Sequence, residues 1–515
     1  MDTVWILGDQ LSPEHAALAL TNPKQSRVLM IESKARGRLL RYHKLKLVLV
    51  YSAMRHFACD LRQEGWEVDY YQLEEGLSFE QAVKKHRPNK LSLAEPNSFG
   101  ETDAVLKLGR KLRVPVELVP TKQFLVPRDD FRGWAAGQKR LVMENHYRRI
   151  RKHFGWLMRS DGEPVGGAWN FDAENRKSYA AWRREVAHAS GLRKAKRATE
   201  THAPHESPDN ITREVMATVA PEFPDNPGEV TNFWLPVDRA GALRWLRSFI
   251  EERLPNFGAF EDMMAEGEPF LFHSVLSPLL NLGLLTPREC VEAAIDAYQR
   301  GAAPINSVEG YLRQIIGWRE FINGVYWLRG TEYRELNALG AEQALPEFFY
   351  TGRTEMNCLH NVLKQNLSLG WNHHIQRLMV IGNFCLIAAI NPQEALRWYN
   401  EMYVDAYDWV MAPNVIGMSL YADGGFMATK PYAATSTYIK RMSNYCEHCR
   451  YDPEKKTGPD GCPFNYLYWD FIDRHAARFA SNPRLRSIVK AWLKRSDANK
   501  NAVRESAKRF VDSLR

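Results

Sequence analysis

The chain has 515 residues, too many for one ordinary hydrophobic core, so two or three domains are expected. Its apolar fraction of 45% is that of a soluble globular protein, and no apolar run is long enough to span a membrane. The 69 Lys and Arg outnumber the 61 Asp and Glu, and the net charge of +8 points weakly to a polyanionic partner.

The chain opens M-D-T-V-W-I-L-G-D-Q, without the basic leader of a secretory signal, and reads directly as a strand. With seven cysteines and no signal, a reducing cytoplasm is the expected setting. Short apolar runs follow at 4–7, 28–31, 47–51, 68–72, 91–94 and 116–119. Helical patterns lie between several of them, as at 53–62 and 80–86. Strand–helix–strand repetition predicts an α/β domain with a parallel, Rossmann-like sheet over residues 1–125. The turn after the first strand is Gly8-Asp9-Gln10, not G-x-G-x-x-G, so a dehydrogenase-type dinucleotide site is not expected there.

Residues 126–235 are rich in Pro, Gly and charge and read as a long connecting region. Two basic runs fall in it, at 147–156 with interleaved aromatics and at 192–197. From residue 236 to 515 the pattern is helical, most clearly at 308–327, 373–390 and 392–410. No repeat and no low-complexity tract interrupts it.

Chemistry-bearing residues concentrate in this helical part. Cys446, Cys449 and Cys462 form a C-x-x-C pair closed by a third cysteine, and Cys358 lies upstream. That spacing suits zinc and an iron–sulfur cluster alike. A disulfide pair fits less well, because the cysteine total is odd and no secretory signal is present. The stretch F-H-S-V-L-S-P at 272–278 reads as a loop entering a helix, with hydroxyls and backbone N–H groups suited to a phosphate. Glu309 and Arg313 stand at i, i+4, an ordinary helix ion pair. Arg313, Trp318 and Arg319 could equally line an anionic cofactor pocket. His373 and His374 are adjacent, so in a regular helix at most one faces a given pocket.

The chain resembles the photolyase/cryptochrome superfamily, specifically its iron–sulfur bacterial branch, whose characterised members repair (6-4) photoproducts in DNA. The resemblance covers nearly the whole length. It is carried by L-G-D-Q-L-S, S-A-M-R-H-F-A, P-V-G-G-A-W-N-F-D-A-E-N-R-K, E-G-Y-L-R-Q-I-I-G-W-R-E, H-H-I-Q-R-L-M, D-W-V-M-A-P-N-V-I-G-M-S and C-x-x-C-R-Y-D-P. It implies an antenna domain at 1–125, a linker at 126–235 and an all-α FAD domain at 236–515. It also implies a 4Fe–4S cluster on Cys358, Cys446, Cys449 and Cys462.

By position, the resemblance assigns His273, Ser274, Leu276 and Ser277 to the FAD phosphates. Glu309, Arg313, Trp318, His373, Arg377, Asn383 and Asp405 fall around the rest of the cofactor. His374 matches the acid/base partner at the lesion, with His373 beside it. Reversing a (6-4) product moves an oxygen between bases as well as an electron, and a histidine titrating near neutral pH suits that. UV-damaged DNA is the implied partner, its lesion flipped into the pocket. Trp398, Tyr399 and Tyr350 match an electron relay. A 6,7-dimethyl-8-ribityllumazine antenna would meet Gly8, Asp9, Gln10 and Glu32. The chain departs from the family pattern at three places. Arg36 replaces a carboxylate at the antenna, Tyr350 replaces a Trp, and Met411 replaces an acid facing the flavin. The rival expectation is a cryptochrome-like photoreceptor without repair activity. A monomer is expected, with no membrane partner.

Overall fold

The computed structural model describes residues 2–189 and 204–514, with the backbone alone at 188 and 189. Five parallel strands form one sheet: β1 (Asp2–Trp5), β2 (Ser26–Ile31), β3 (Glu67–Tyr71), β4 (Lys90–Ala94) and β5 (Val116–Val119). Their order is β3-β2-β1-β4-β5, with Val4 registered against Val28 on one side and Ser92 on the other. Successive side chains point to opposite faces. Val4, Ile6, Val28 and Met30 face a large core that runs on into the helical part. Trp5, Leu29, Ile31, Leu91 and Leu93 face a smaller core closed by Ala82, Val83 and Val105. A parallel sheet buried on both faces needs near-continuous apolar strands, and that is the pattern the sequence carries.

The expected strand at 47–51 is instead part of the helix Lys44–Gln63. A short apolar run does not by itself separate a strand from a buried helix. This helix is apolar on several sides because it lies between the sheet and the helix Asn210–Glu222.

The expected connecting region has secondary structure of its own. It contains the helices Arg128–Ala136, Met143–Phe154, Tyr179–Ala189 and Asn210–Glu222, with its Pro and Gly marking turns between them. Nor is the basic run at 147–156 a freely solvated face. Tyr147 and Arg151 are fully buried. The Arg151 guanidinium donates to the carbonyls of Trp156 (3.2 Å), Leu157 (2.6 Å) and Trp169 (3.2 Å). Arg148 and Arg149 pair with Glu144 and Asp130. The second basic run, 192–197, lies outside the described residues.

From Arg239 the described chain is helical to Asp512. Asp238 caps the first of these helices, its carboxylate accepting the Gly241 N–H at 2.6 Å. Four stretches, Phe249–Arg253, Arg313–Arg319, Gln376–Gly382 and Pro413–Ser419, are wound as π-helix. Such wide turns re-aim side chains and concentrate at functional sites. Two of them hold Arg313, Trp318 and Arg377, and Met411 lies two residues before a third. Among the described residues, no helix is long and apolar enough to cross a membrane.

Backbone hydrogen bonds stitch the sheet end to the helical part. Leu11 N–H donates to Leu282 O at 2.7 Å, and His43 N–H donates to Glu401 O at 2.7 Å. The buried Glu320 carboxylate accepts the N–H groups of Leu125 (2.9 Å) and Val126 (3.0 Å).

Candidate active site

The loop before the helix Ser277–Leu282 turns sharply, with Leu271 at φ 44° and Val275 at φ 58°. A β-branched residue rarely adopts that conformation, and such strain marks functional loops. The turn buries His273 and Leu276 and leaves Ser274 and Ser277 half-buried. Ser277 Oγ donates to Asp405 Oδ2 at 2.6 Å. Arg377 donates to both Asp405 oxygens at 3.0 Å, and Asn281 Nδ2 donates to the Asp405 carbonyl at 2.8 Å. The Arg377 guanidinium also donates to Asn372 O at 2.8 Å and lies over the Tyr403 ring at 4.0 Å. A two-pronged, stacked arginine is fixed in direction as well as in place.

Next to this network, the His273 and His373 rings stack at 4.2 Å and 11°. Burial pushes both imidazoles well below the ordinary histidine range, so they are neutral. His273 Nε2 and both His373 ring nitrogens have no hydrogen-bond partner. His374 meets His273 edge-on at 5.5 Å. Both histidines therefore face one neighbour, against the expectation for a regular helix. They sit at the start of the helical stretch, where the spacing of side chains is not yet helical. The His374 side chain is 40% exposed, and its Nε2 lies 3.7 Å from Asp262 Oδ1. Asp262 Oδ2 accepts from Tyr438 Oη at 3.3 Å. The neighbouring Glu261 is buried with Oε2 unpartnered. Burial, and then the charge of Asp262, push its carboxyl up to about 8.

Glu309 forms the third side. Its Oε1 accepts from Tyr147 Oη at 2.9 Å and its Oε2 from Phe171 N–H at 3.1 Å. Arg313 Nε stands 3.7 Å from Glu309, but its closer partner is Asp172. Trp318 packs edge-on against Phe321 at 6.4 Å. Asn383 pairs through its amide with both backbone groups of Ala434, each at 3.0 Å. Sequence reasoning missed Asp172, Glu261, Asp262 and Tyr438 as members of this group. Asp172 was within reach, since it lies in the quoted P-V-G-G-A-W-N-F-D segment. Met411 is buried.

An aromatic tract leads away from Arg377. Tyr399 Oη donates to Arg377 O at 2.7 Å. Trp398, fully buried, meets Tyr399 at 5.2 Å, Tyr403 at 5.7 Å and Phe349 at 5.3 Å, and its Nε1 donates to Phe349 O at 3.1 Å. Tyr350 follows Phe349 in the chain and is half-buried.

The four named cysteines converge from two distant segments. Cys358 is on the helix Asn357–Leu369, and Cys446, Cys449 and Cys462 lie in the loop between the helices Ser436–Met442 and Pro463–Arg474. All four line one small cavity with Met356, Tyr445 and Phe464. Among the described residues, the groups of three or more metal-capable atoms lying within 4.8 Å of one another contain no cysteine. Tyr445 Oη accepts from Gln376 Nε2 at 3.0 Å, and Gln376 Oε1 accepts the His373 N–H at 3.2 Å.

A larger cavity, of about 320 Å³, opens at the carboxyl ends of the strands. Ligands of open α/β sheets bind there, where the strand order reverses. Gly8 and Asp9 line it, with Arg36, Tyr42, Lys46 and Tyr407 at its polar side. Gln10 and Glu32 are not part of that wall. Gln10 Nε2 donates to Ala94 O (3.0 Å) and Glu95 O (3.1 Å), and Glu32 is locked by Arg55 at 2.8 and 3.0 Å. Arg36 pairs with Glu101 at 2.8 Å and with Tyr42 Oη at 2.6 Å.

The family model for deoxyribodipyrimidine photo-lyase-related proteins matches residues 4–235. Over 518 aligned residues the chain is 43% identical to the (6-4) photolyase of Agrobacterium fabrum, and the match covers 99% of each chain. The chain belongs to the photolyase/cryptochrome family. Its fold matches a bacterial class III photolyase from Agrobacterium tumefaciens with a TM-score of 0.53, at 14% identity over 100% of this chain and 98% of that one. It matches a Synechocystis cryptochrome with the same TM-score, at 13% identity over 81% and 82% of the two chains. The expected two-part fold, a parallel α/β sheet plus a large helical portion, is the photolyase/cryptochrome fold. Membership in the family implies FAD.

Proposed function

We propose that this protein repairs (6-4) pyrimidine–pyrimidone photoproducts in DNA, driven by light, with reduced FAD as electron donor and His374 as the proton partner. One observation carries the reading. A half-exposed histidine with a carboxylate 3.7 Å away lies against two buried, neutral histidines with unpartnered ring nitrogens, beside a fixed arginine. A buried electron donor next to a wet acid/base group is what the two halves of this reaction need. The full-length likeness to a protein named (6-4) photolyase supports it.

The helical site fits FAD. The unpartnered ring nitrogens of His273 and His373 offer polar contacts, and the unpartnered Arg313 Nε offers a charged donor. Ser274, Ser277, His273 and Leu276 would hold the phosphates. Glu309, Arg313, Trp318, His373, Arg377, Asn383 and Asp405 would hold the remainder. When bound, FAD supplies the light-driven electron. Asp405 orients Arg377, which tethers the start of the aromatic tract through Tyr399. Asp262, 3.7 Å from Nε2, orients the half-exposed His374 ring, whose imidazole would give a proton to the lesion and recover it. The aromatic tract through Tyr399, Trp398 and Tyr350 serves as the path for reducing the cofactor.

The thiol cavity fits a 4Fe–4S cluster better than zinc. A tetrahedral zinc thiolate needs sulfurs about 3.8 Å apart, given bonds of about 2.3 Å. The wider set here leaves room for a polynuclear cluster. The cavity at the sheet end is the place for a ribityllumazine-type antenna, held by Gly8 and Asp9 with Arg36 already neutralised by Glu101. In this reading residues 1–125 carry the antenna, 126–235 connect, and 236–515 hold FAD and cluster. The test is blue-light treatment of oligonucleotides bearing one defined lesion. Restoration of the (6-4) product, with the cyclobutane dimer untouched, is expected. Repair of neither lesion by reduced, FAD-loaded protein refutes the reading.

A further inference from the structure

Tyr350 differs from the rest of the aromatic tract in what its polar atom touches. Trp398 and Tyr399 donate to backbone carbonyls, which cannot accept a proton under ordinary conditions. Tyr350 Oη donates to Glu401 Oε2 at 3.0 Å, within the reach of direct proton transfer. Glu401 is 4% exposed, and burial raises its carboxyl above the ordinary range, which makes it a stronger base. The groups facing it are few. Arg41 N–H lies 3.4 Å from Oε1 and the Arg41 guanidinium stands over the Tyr350 ring at 5.8 Å. Arg397, one turn earlier on the same helix, adds positive charge. His43 donates its backbone N–H to Glu401 O, and burial holds its imidazole neutral, with a pKa near 4.

An indole that loses an electron can persist as a cation. A phenol that loses an electron becomes a strong acid, so a tyrosine is oxidised readily only when a base takes its proton in the same event. We propose that Glu401 is the proton acceptor that lets Tyr350 act as the outer member of the electron relay. Tyr350 gives one electron to the Trp398 cation, and its hydroxyl proton moves to Glu401 Oε2. The products are neutral Trp398, a neutral Tyr350 radical and a protonated Glu401. The oxidant that first empties Trp398 is the light-excited oxidised flavin, or any external one-electron photo-oxidant. This inference rests on reading the tract as a relay.

The test uses full-length, FAD-loaded protein and two ways of making the vacancy: blue light on the flavin, and a flash-quenched ruthenium tris-bipyridine complex. Tyrosyl radical is read by electron paramagnetic resonance, in light and in heavy water. The parent is expected to give the radical by both routes, more slowly in heavy water. Glu401→Gln, with FAD content unchanged, is expected to lower radical yield at least tenfold by both routes. Adding Tyr350→Trp to that variant is expected to restore photoreduction, since an indole cation needs no base. The rescue also shows that the Gln chain folds. Parental radical yield in Glu401→Gln overturns the role of Glu401. Undiminished photoreduction in Tyr350→Phe overturns the relay reading itself, and the inference with it.

Discussion

The most informative perturbation is Glu261→Gln, because Glu261 is buried with an unpartnered oxygen between Asp262 and the Glu309–Arg313 pair. Its folded-state pKa is about 8, against 4.5 for an unperturbed Glu. Below pH 4.5 the carboxyl is protonated in both folded and unfolded chains, and the group contributes no pH dependence. Between 4.5 and 8 the unfolded chain releases the proton while the folded chain keeps it. Stability therefore falls as pH rises through that window, by about 1.4 kcal/mol per unit at the steepest. Above 8 the loss is complete and constant. Between pH 5 and pH 7 the parent should lose on the order of 2 kcal/mol through this one group. Gln does not titrate, so the stability gap between Glu261→Gln and the parent should widen in favour of Gln by that amount. Urea midpoints followed by circular dichroism at the two pH values measure the gap, and all other titrating groups cancel in the comparison. The infrared spectrum of the parent minus that of the variant at pH 7 should show the band of one protonated carboxyl, over the contribution of the other buried carboxyls such as Asp9 and Glu320, which burial also pushes up to about 7. A gap that stays constant or narrows between pH 5 and 7 refutes the reasoning.

Replacing Cys358 by Ser should give colourless, poorly soluble protein, because a cluster that ties two distant segments contributes directly to folding; iron and sulfide analysis checks it, and full iron and sulfide content would count against the ligand assignment. His374→Asn should keep FAD and lose (6-4) repair by about 10²–10⁴-fold, the usual worth of general acid catalysis, measured as turnover under blue light. Near-parental repair would take His374 out of the mechanism. Gly324→Ala should destabilise by about 1–3 kcal/mol, because its new Cβ would run into the ring of the buried Phe131; an unchanged melting temperature would show that Phe131 moves aside freely.

The sheet was readable because both of its faces are buried and the strands are correspondingly apolar. Residues 47–51 misled because a helix covered on several sides shows the same run without a period. The linker helices were hidden by their Pro and Gly, which mark turns between elements as readily as true loops. The thiols, and the Ser277–Arg377–Asp405 set, were legible through motif spacing and resemblance. Asp262, Glu261 and Tyr438 were not, since each depends on a chain crossing that no local pattern encodes. The π-helical turns were equally silent: one extra residue per turn leaves apolar spacing almost unchanged while re-aiming Arg313 and Arg377. Buried Arg151 shows the limit of reading charge runs, because a guanidinium that satisfies three carbonyls looks in sequence like any solvated one.

The seam between sheet and helices has a thermodynamic consequence. Lys46 donates to Ala406 O, Tyr407 forms part of the sheet-end cavity, and Asp405 two residues earlier anchors Arg377. Together with the Leu11–Leu282 and His43–Glu401 bonds and the shared core, this leaves no apolar boundary at which the two architectures could part cheaply. The chain should therefore behave as one cooperative body, with sheet and helices losing structure together. A ligand occupying the sheet-end cavity would then stabilise the distant helices by mass action alone. Sheet and helical part would share one melting event, so neither could be exchanged for a foreign module without rebuilding three residues of chain, 405 to 407, that serve both.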